Sequence, residues 1–150
     1  MKRITLTLLV LMLALCCVFS IVSCEKTEDT TAETLAEGEK IEAEGLWKKA
    51  TYLSNTTVGE GAKTVTVTVV AEGKSLTITL KTDKEKLGEA MFEHKLINDA
   101  SFFNVLNGIE ASWEKDNAYW AFYNGDEYLN VGVNETNISG GEHFRFVYTK

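Results

Sequence analysis

Residues that could catalyse a reaction or bind a metal are sparse in this sequence. His94 and His143 are its only histidines, and neither belongs to a His-Glu-x-x-His motif or to a carboxylate cluster with ligand spacing. Asp126 and Glu127 form a carboxylate pair beside a turn, but a calcium site needs about six to eight oxygen ligands. No Gly-x-Ser-x-Gly motif occurs. The sequence therefore predicts a protein that is not an enzyme and that has no metal site.

The cysteines point to a different chemistry. Cys16 and Cys17 lie inside the apolar run Ile4–Ser23, which follows a basic start as in export signals. The run ends as Ile-Val-Ser-Cys, which resembles a bacterial lipobox with a small residue directly before Cys24. The motif predicts a lipoprotein signal peptide over residues 1–23 and attachment of acyl chains such as palmitate at Cys24. An uncleaved membrane anchor and ordinary secretion are the alternatives.

The lipid attachment predicts where the protein resides. Two or more acyl chains hold a protein on a bilayer far better than one. We therefore expect a lipid-anchored protein on the extracytoplasmic face of the cell membrane. Cleavage would remove Lys2 and Arg3 from the 15 basic side chains, leaving 13 against 22 acidic ones. This negative balance opposes nucleic acid and anionic lipid as partners, so membrane attachment is expected through the lipid.

The segment 118–128, Ala-Tyr-Trp-Ala-Phe-Tyr-Asn-Gly-Asp-Glu-Tyr, is dense in side chains that suit recognition more than catalysis. In a strand, Tyr119 and Tyr123 point to one face, and Trp120 and Phe122 point to the other. A sheet covered by one helix has only one face that must be apolar. We expect the second pair in the core and the two tyrosines on the open face, where an apolar ring with a polar tip suits binding.

A small ligand is thus predicted to bind at this aromatic hairpin and the loops beside it. The alternative is that the segment Leu46–Leu53 folds back and covers the open face with Trp47 and Tyr52. The predicted ligand-binding residues are Trp113, Tyr119, Tyr123, Asn124 and Tyr128.

Residues 24–45 are predicted to form an acidic, flexible tether. Positions 25–45 hold eight acidic and two basic side chains, no aromatic residue, and only Leu35 and Ile41 as sizeable apolar groups. Too little apolar surface can be buried here to offset the entropy of ordering the chain. A flexible segment of this length spans roughly 25 Å and would hold the following domain, residues 46–150, away from the membrane.

The periodicity of apolar residues predicts the elements that carry these side chains. Thr64–Val70 alternates valine with threonine, and Leu76–Leu80 alternates again after a short turn, as in a β-hairpin with one buried face. Thr82–Glu85 fits a capping box for an amphipathic helix from roughly Asp83 to Lys95. Aromatic segments and Asn-Gly turns predict further strands after the helix. These strands are Ser101–Leu106, Ala118–Tyr123, Glu127–Val133 and His143–Thr149. The order indicates an α+β fold, a β-grasp (ubiquitin-like) mixed sheet with one amphipathic helix across one face.

Several short motifs together resemble the transcobalamin C-terminal-like domain family. They are Leu-Gly-Glu-Ala-Met at the helix start, Leu-Asn-Gly-Ile after the helix, Tyr-Trp-Ala-Phe-Tyr-Asn-Gly-Asp-Glu-Tyr in the sheet, and Val-Tyr-Thr at the end. The resemblance covers about Leu46–Lys150. In its vitamin-carrier members this β-grasp-related domain closes over cobalamin.

The resemblance implies ligand binding outside the membrane. It suggests cobalamin or another corrinoid as the ligand and an uptake-system protein as a partner, with no cofactor otherwise. The alternative, from another class of function, is a structural or adhesive cell-surface domain whose open sheet face or edge docks another protein.

Overall fold

The two alternating segments form a long hairpin at the centre of the computed structural model, which describes residues 32–150. This part of the chain is a mixed α+β fold built on a seven-stranded sheet with short helices. The elements, beside a 3₁₀ helix at Gly45–Lys49, are β1 (Glu33–Thr34), β2 (Thr56–Gly59), β3 (Lys63–Ala71), β4 (Lys74–Thr82), α1 (Leu87–Glu93), β5 (Val105–Leu106), β6 (Ile109–Glu110), α2 (Trp113–Asp116), β7 (Tyr119–Asn124), β8 (Glu127–Tyr128) and β9 (His143–Thr149).

The predicted signal peptide, with Cys24 and the first part of the tether, lies outside the described residues. Within residues 32–150, no helix is long and apolar enough to span a membrane.

The hairpin prediction is confirmed. β3 and β4 pair antiparallel over their full lengths, and every valine at an odd position of β3 is buried together with Leu76, Ile78 and Leu80. The threonines that alternate with these residues point to the opposite face, because successive strand residues alternate in direction. They are Thr64, Thr66, Thr68, Thr77 and Thr79. One face of the hairpin thus belongs to the core, and the other carries a row of hydroxyl groups.

The last strand inserts beside the hairpin and completes the core. β9 runs parallel to β3, with Val67 opposite Phe144 and Val69 opposite Phe146, and β7 pairs antiparallel with β9 on its other side. Residues opposite each other in paired strands share a face, so the valines and phenylalanines form one apolar layer. Phe122 joins this layer by stacking on Phe146, with ring centroids 4.6 Å apart. The core prediction is confirmed for Phe122, Phe144 and Phe146, and Leu87 and Met91 of α1 are buried with them, whereas Trp120 is only half-buried.

The helix is shorter than predicted, and the capping-box prediction is wrong. Thr82 ends β4, pairs with Lys63 and is buried, and its Oγ1 accepts a hydrogen bond from the Lys84 amide at 3.1 Å. The helix begins at Leu87 without a side-chain cap. Because the Thr82 hydroxyl is used at the strand end, the start of α1 must be satisfied by other groups.

The segment before the hairpin packs on the folded domain earlier than the sequence suggests. β1 pairs with β4 at Lys74 and Ser75, and Ile41 is buried in the core cluster. Part of the stretch predicted as tether therefore contacts the sheet, because Ile41 finds apolar surface that the composition alone did not reveal. β2 pairs parallel with β4 further along the same edge.

The Leu46–Leu53 segment does not cover Tyr119 and Tyr123. Trp47 is buried in the core cluster, and its Nε1 donates to the Ala71 carbonyl at 3.1 Å. Tyr52 also packs against the core cluster, and its amide and carbonyl both bond the Asn107 side chain, at 2.8 and 2.9 Å. The segment thus closes the same side of the sheet as α1.

The two Asn-Gly turns differ in backbone geometry. Asn107 and Gly108 both have positive φ, 51° and 80°, as expected for a tight hairpin turn, here between β5 and β6. At the second turn Asn124 is still a strand residue paired with Glu127, and only Gly125 has a positive φ. The predicted strands Ser101–Leu106 and Glu127–Val133 shorten to the two-residue strands β5 and β8, because loops fold over the core instead.

Candidate functional site

An aromatic cavity of about 660 Å³ opens on the helix side of the sheet, beside β7. Its floor consists of Phe122 and Phe146, which are buried core residues. Phe103 stands edge-on to Phe146, with ring centroids 5.7 Å apart, and Trp120 is half-buried in the wall. Three connecting segments supply the remaining walls, so the cavity exists only when they pack together.

The mouth of the cavity is rimmed by exposed apolar side chains. Phe102 is 88% exposed, Trp113 66% and Tyr119 43%, and Val131 is exposed as well. The rings of Trp113 and Tyr119 lie 6.5 Å apart. Such large apolar groups rarely collect on a surface without a binding role.

Hydrogen bonds to side chains shape the segment 98–104, which carries Phe102 and Phe103. The Asp99 carboxylate accepts hydrogen bonds from the Ser101 and Phe102 amides at 2.7 and 2.9 Å. The Phe102 bond and then the Ser101 bond lower the pKa of Asp99, because they favour its charged form. This short turn aims both phenylalanines at the cavity without any helix or strand.

The segment 111–118 contains the one-turn helix α2, which the sequence analysis missed. The Ser112 side chain caps it by accepting from the Lys115 amide at 3.3 Å, and Asn117 ends it in a left-handed conformation. The Lys115 ammonium donates to the Glu110 carboxylate at 2.9 Å, which lowers the pKa of Glu110 and raises that of Lys115. The turn places Trp113 at the cavity mouth.

The third wall is the loop between β8 and β9, which also satisfies the start of α1. The Leu87 amide donates to the Thr136 carbonyl and the Gly88 amide to the Val133 carbonyl, both at 3.0 Å. These bonds take the role that the predicted capping box was expected to have. Val133 also lines the cavity, so this residue contacts both the candidate site and the start of α1.

Gly88, which is unfavourable in a helix, is explained by this close packing. A Cβ at this position would lie 2.4 Å from the Ala100 carbonyl oxygen and 3.2 Å from the Val133 backbone. Only glycine allows the segment 98–104 and the β8–β9 loop to approach α1 so closely.

The five predicted ligand-binding residues do not all lie at the cavity. Trp113 and Tyr119 meet at the cavity mouth. Tyr123 and Tyr128 pack edge to face on the opposite side, with centroids 5.3 Å apart, and Asn124 is exposed at the end of β7. They therefore do not form a single platform.

Most cavity-lining residues were not selected for binding by the sequence analysis, among them Phe102, Phe103, Trp120 and Val133. Trp120 was assigned to the core, and its partial burial reflects its place at the sheet edge. The adjacent pair Phe102–Phe103 was a detectable signal, but it was assigned to a strand.

The histidines and carboxylates form no metal centre in residues 32–150. No group of three or more His, Cys, Asp or Glu side chains that could hold a metal ion occurs in this range. His94 ends α1, and His143 opens β9, where its Nδ1 lies 2.7 Å from the Thr66 hydroxyl.

Comparisons with known proteins place this fold among solved structures. No protein-family model matches the chain, and no curated protein matches it. A solved structure from Ruminococcus gnavus ATCC 29149, described provisionally as a metal binding protein, matches with a TM-score of 0.54 and 24% identity over 59% of this chain and 98% of that one. Haptocorrin in complex with Cbi matches with a TM-score of 0.47 and 16% identity, covering 62% of this chain and 26% of that chain. The comparisons establish that the matched 59% of this chain shares its fold with the Ruminococcus gnavus protein. The resemblance to the transcobalamin C-terminal-like domain family stays a prediction.

Proposed function

We propose that the protein binds a small molecule with a flat ring system in the aromatic cavity and performs no catalysis. The observation that carries the proposal is the combination of a rigid aromatic floor with an exposed aromatic rim. Ligand sites in proteins are typically concave, about 300–1,000 Å³ in volume and lined mainly by apolar and aromatic side chains with a few polar groups.

The polar groups of the cavity are few and fixed. The Asn104 side-chain oxygen accepts from the Asn98 amide at 2.8 Å, and Ser112 caps α2. Glu114 adds a carboxylate to the rim. Recognition would therefore come mainly from stacking on aromatic rings, which suits a planar ligand.

The sequence resemblance directs the choice of ligand to corrinoids such as cobalamin. The same resemblance suggests a β-grasp fold. The β3–β4 hairpin, the helix α1 and the parallel pairing of β9 with β3 support this proposal. A ring system like that of a corrinoid would lie against the rim while one edge enters the cavity.

Tryptophan fluorescence tests this proposal, because Trp113 and Trp120 line the cavity and Trp47 does not. Adding cobalamin or cobinamide at micromolar concentration should quench the fluorescence saturably. Trp47→Phe should keep most of the quenching. Quenching that does not saturate with any corrinoid, after correction for ligand absorbance, would exclude this ligand class.

Variants at the rim locate the binding site. Phe102→Ala should weaken binding by about tenfold or more, as is common for an aromatic anchor, without changing the melting temperature, since the side chain is exposed. Phe92→Ala is the matched control, because Phe92 is 50% exposed on α1 and does not line the cavity. Equal weakening by both variants would contradict the cavity as the site.

We also propose that the protein is a lipoprotein held at the extracytoplasmic face of the membrane through Cys24. The lipobox and the acidic segment after it support this location. Cys24→Ala should release the protein from the membrane fraction and abolish incorporation of labelled palmitate. A variant that stays in the membrane without acylation would point to an uncleaved anchor.

A second candidate function is docking of another cell-surface protein, for instance a component of an uptake system. The exposed side chains Phe102, Trp113 and Val131 favour it, because they form an apolar surface. In that case corrinoids should leave the fluorescence unchanged, while chemical cross-links from the rim to one specific surface protein should disappear in Phe102→Ala and remain in Phe92→Ala.

A further inference from the structure

A second, polar cleft of about 430 Å³ lies on the face of the sheet opposite the aromatic cavity. Its position follows from strand register: Thr68 lies opposite Thr77 on one side and opposite Arg145 on the other, and Arg145 lies opposite Tyr123. These residues share a face across four strands, because residues directly opposite in a ladder point the same way. The turn after β7 closes one end of the cleft with Asp126.

Arg145 is held in a fixed orientation in this cleft. Its guanidinium carbon lies 4.6 Å above the centroid of the Tyr123 ring, and Tyr128 supports that ring edge-on. Stacking on an aromatic ring orders a long side chain before any ligand arrives, which reduces the entropy lost on binding.

The charge of Arg145 is only loosely balanced. The nearest carboxylate, Asp126, is fully exposed, and its Oδ1 lies 3.9 Å from Nη2. The Arg145 side chain is 40% exposed, so the outer nitrogens of its guanidinium can reach a ligand. An exposed guanidinium stacked on an aromatic ring is well suited to recognise a planar oxyanion.

Threonine hydroxyl groups line the same cleft. Thr68 and Thr77 share a hydrogen bond with their oxygens 3.1 Å apart, and the Thr66 hydroxyl bonds His143. Each hydroxyl can donate or accept, so the row can bond the hydroxyl groups of a ligand in either direction. The cleft therefore offers one guanidinium, the exposed Asp126 carboxylate and several neutral polar groups.

We propose that this cleft is a second binding site, independent of the aromatic cavity, for the carboxylate group of a small polyhydroxylated ligand such as an acidic sugar. Arg145 binds the carboxylate, and the threonine row bonds the ligand hydroxyls. A single carboxylate fits better than a doubly charged phosphate, because Arg145 is the one permanent cation that residues 32–150 bring to the cleft, and Asp126 is close to it.

Nuclear magnetic resonance titration with glucuronate tests the proposal. The amide signals of Thr68 and Arg145 should shift saturably at millimolar glucuronate. Glucose, which has the same ring without the carboxylate, should bind at least about tenfold more weakly, since a charge-assisted hydrogen bond is lost. Equal binding of glucose and glucuronate, or saturable binding of phosphate without glucuronate, would overturn the carboxylate assignment.

Three variants locate the charge that matters. Arg145→Ala should weaken glucuronate binding by at least about tenfold, whereas Asp126→Asn, at an exposed position, should tighten it severalfold because a competing carboxylate is removed. Lys81→Ala is the matched control, since Lys81 lies on the same face beyond the cleft, opposite Thr64. If Lys81→Ala weakens binding as much as Arg145→Ala, or if Asp126→Asn also weakens it, the assigned site is wrong.

Discussion

The two faces of the sheet are built from the same strands, but one face packs into the apolar core and the other carries polar side chains. On β9, Phe144 and Phe146 enter the core, whereas Arg145 between them stands on the polar face beside the threonine row. On β7, Phe122 forms the cavity floor, and Tyr123 next to it supports Arg145. The difference teaches that a dense aromatic segment can serve a packed core and a polar binding face at once, because strand alternation separates adjacent residues.

The largest effect that would test this contrast is on stability. Phe146→Ala should lower the free energy of unfolding by about 3–5 kcal/mol, because the ring is fully buried and stacks on Phe122. Thr68→Ala, on the opposite face, should cost about 0.5 kcal/mol, since the residue is half exposed. Urea denaturation measures both. Similar losses for the two variants would show that the polar face is structurally as important as the core face.

A medium effect is expected at Gly88, where the walls of the cavity meet α1. Gly88→Ala should lower the free energy of unfolding by about 1–3 kcal/mol, because the new Cβ would collide with the rigid Ala100 carbonyl. Helix propensity alone would predict a gain of about 1 kcal/mol, so the sign of the change distinguishes the two causes.

The control for Gly88 is Gly132→Ala, measured by the same thermal and urea unfolding. A Cβ on Gly132 would meet chiefly the Asn134 side-chain oxygen, which can rotate away, and the φ of Gly132 is not positive. We therefore expect little change. A stabilised Gly88→Ala protein would contradict the tight packing of the cavity walls.

The smallest expected effect is a pH-dependent change near Asp99, on the cavity side of the sheet. No matching change is expected on the polar face. The pKa of Asp99 is lowered in the folded protein by bonds from the Phe102 and Ser101 amides. Its stabilisation is therefore complete above the ordinary pKa of 3.8 and is lost as pH falls through the lower folded value. The amide signals of Ser101 and Phe102 should shift in this acid range, while those of Thr68 and Thr77 should not.

Asp99→Asn is the control for this acid transition. Asparagine retains a side-chain oxygen that can accept the amide hydrogen bonds, but it does not titrate. The acid-dependent shift at Ser101 and Phe102 should disappear in this variant. If the shift persists, a group other than Asp99 titrates near Ser101 and Phe102.

The elements that could be predicted from the sequence are the strands in which apolar and polar side chains alternate. Thr64–Val69 alternates strictly, and its three valines are buried. His143–Phe146 follows the same pattern, with Phe144 and Phe146 buried. The helix start was mispredicted because its amides bond Thr136 and Val133, which are distant in sequence. Local motifs contain no information about such partners.

The candidate site was only partly predictable for the same reason. Trp113 and Tyr119, two of the predicted binding residues, lie exposed at the rim of the cavity, but the cavity also depends on three irregular segments that contact each other over long range. Phe102 is presented by the Asp99 turn, which has no periodicity to detect. The stacking of Arg145 on Tyr123, away from the cavity, also joins two strands that are distant in sequence.

The shared use of Val133 has a consequence for how ligand binding could be observed. Val133 lines the cavity, and its carbonyl oxygen accepts a hydrogen bond from the Gly88 amide. A ligand that steadies the loop should slow hydrogen–deuterium exchange at Gly88 and Leu87, although neither amide touches the ligand. Hydrogen–deuterium exchange in the first turn of α1 therefore reports whether the cavity is occupied, and the measurement needs no labelled ligand.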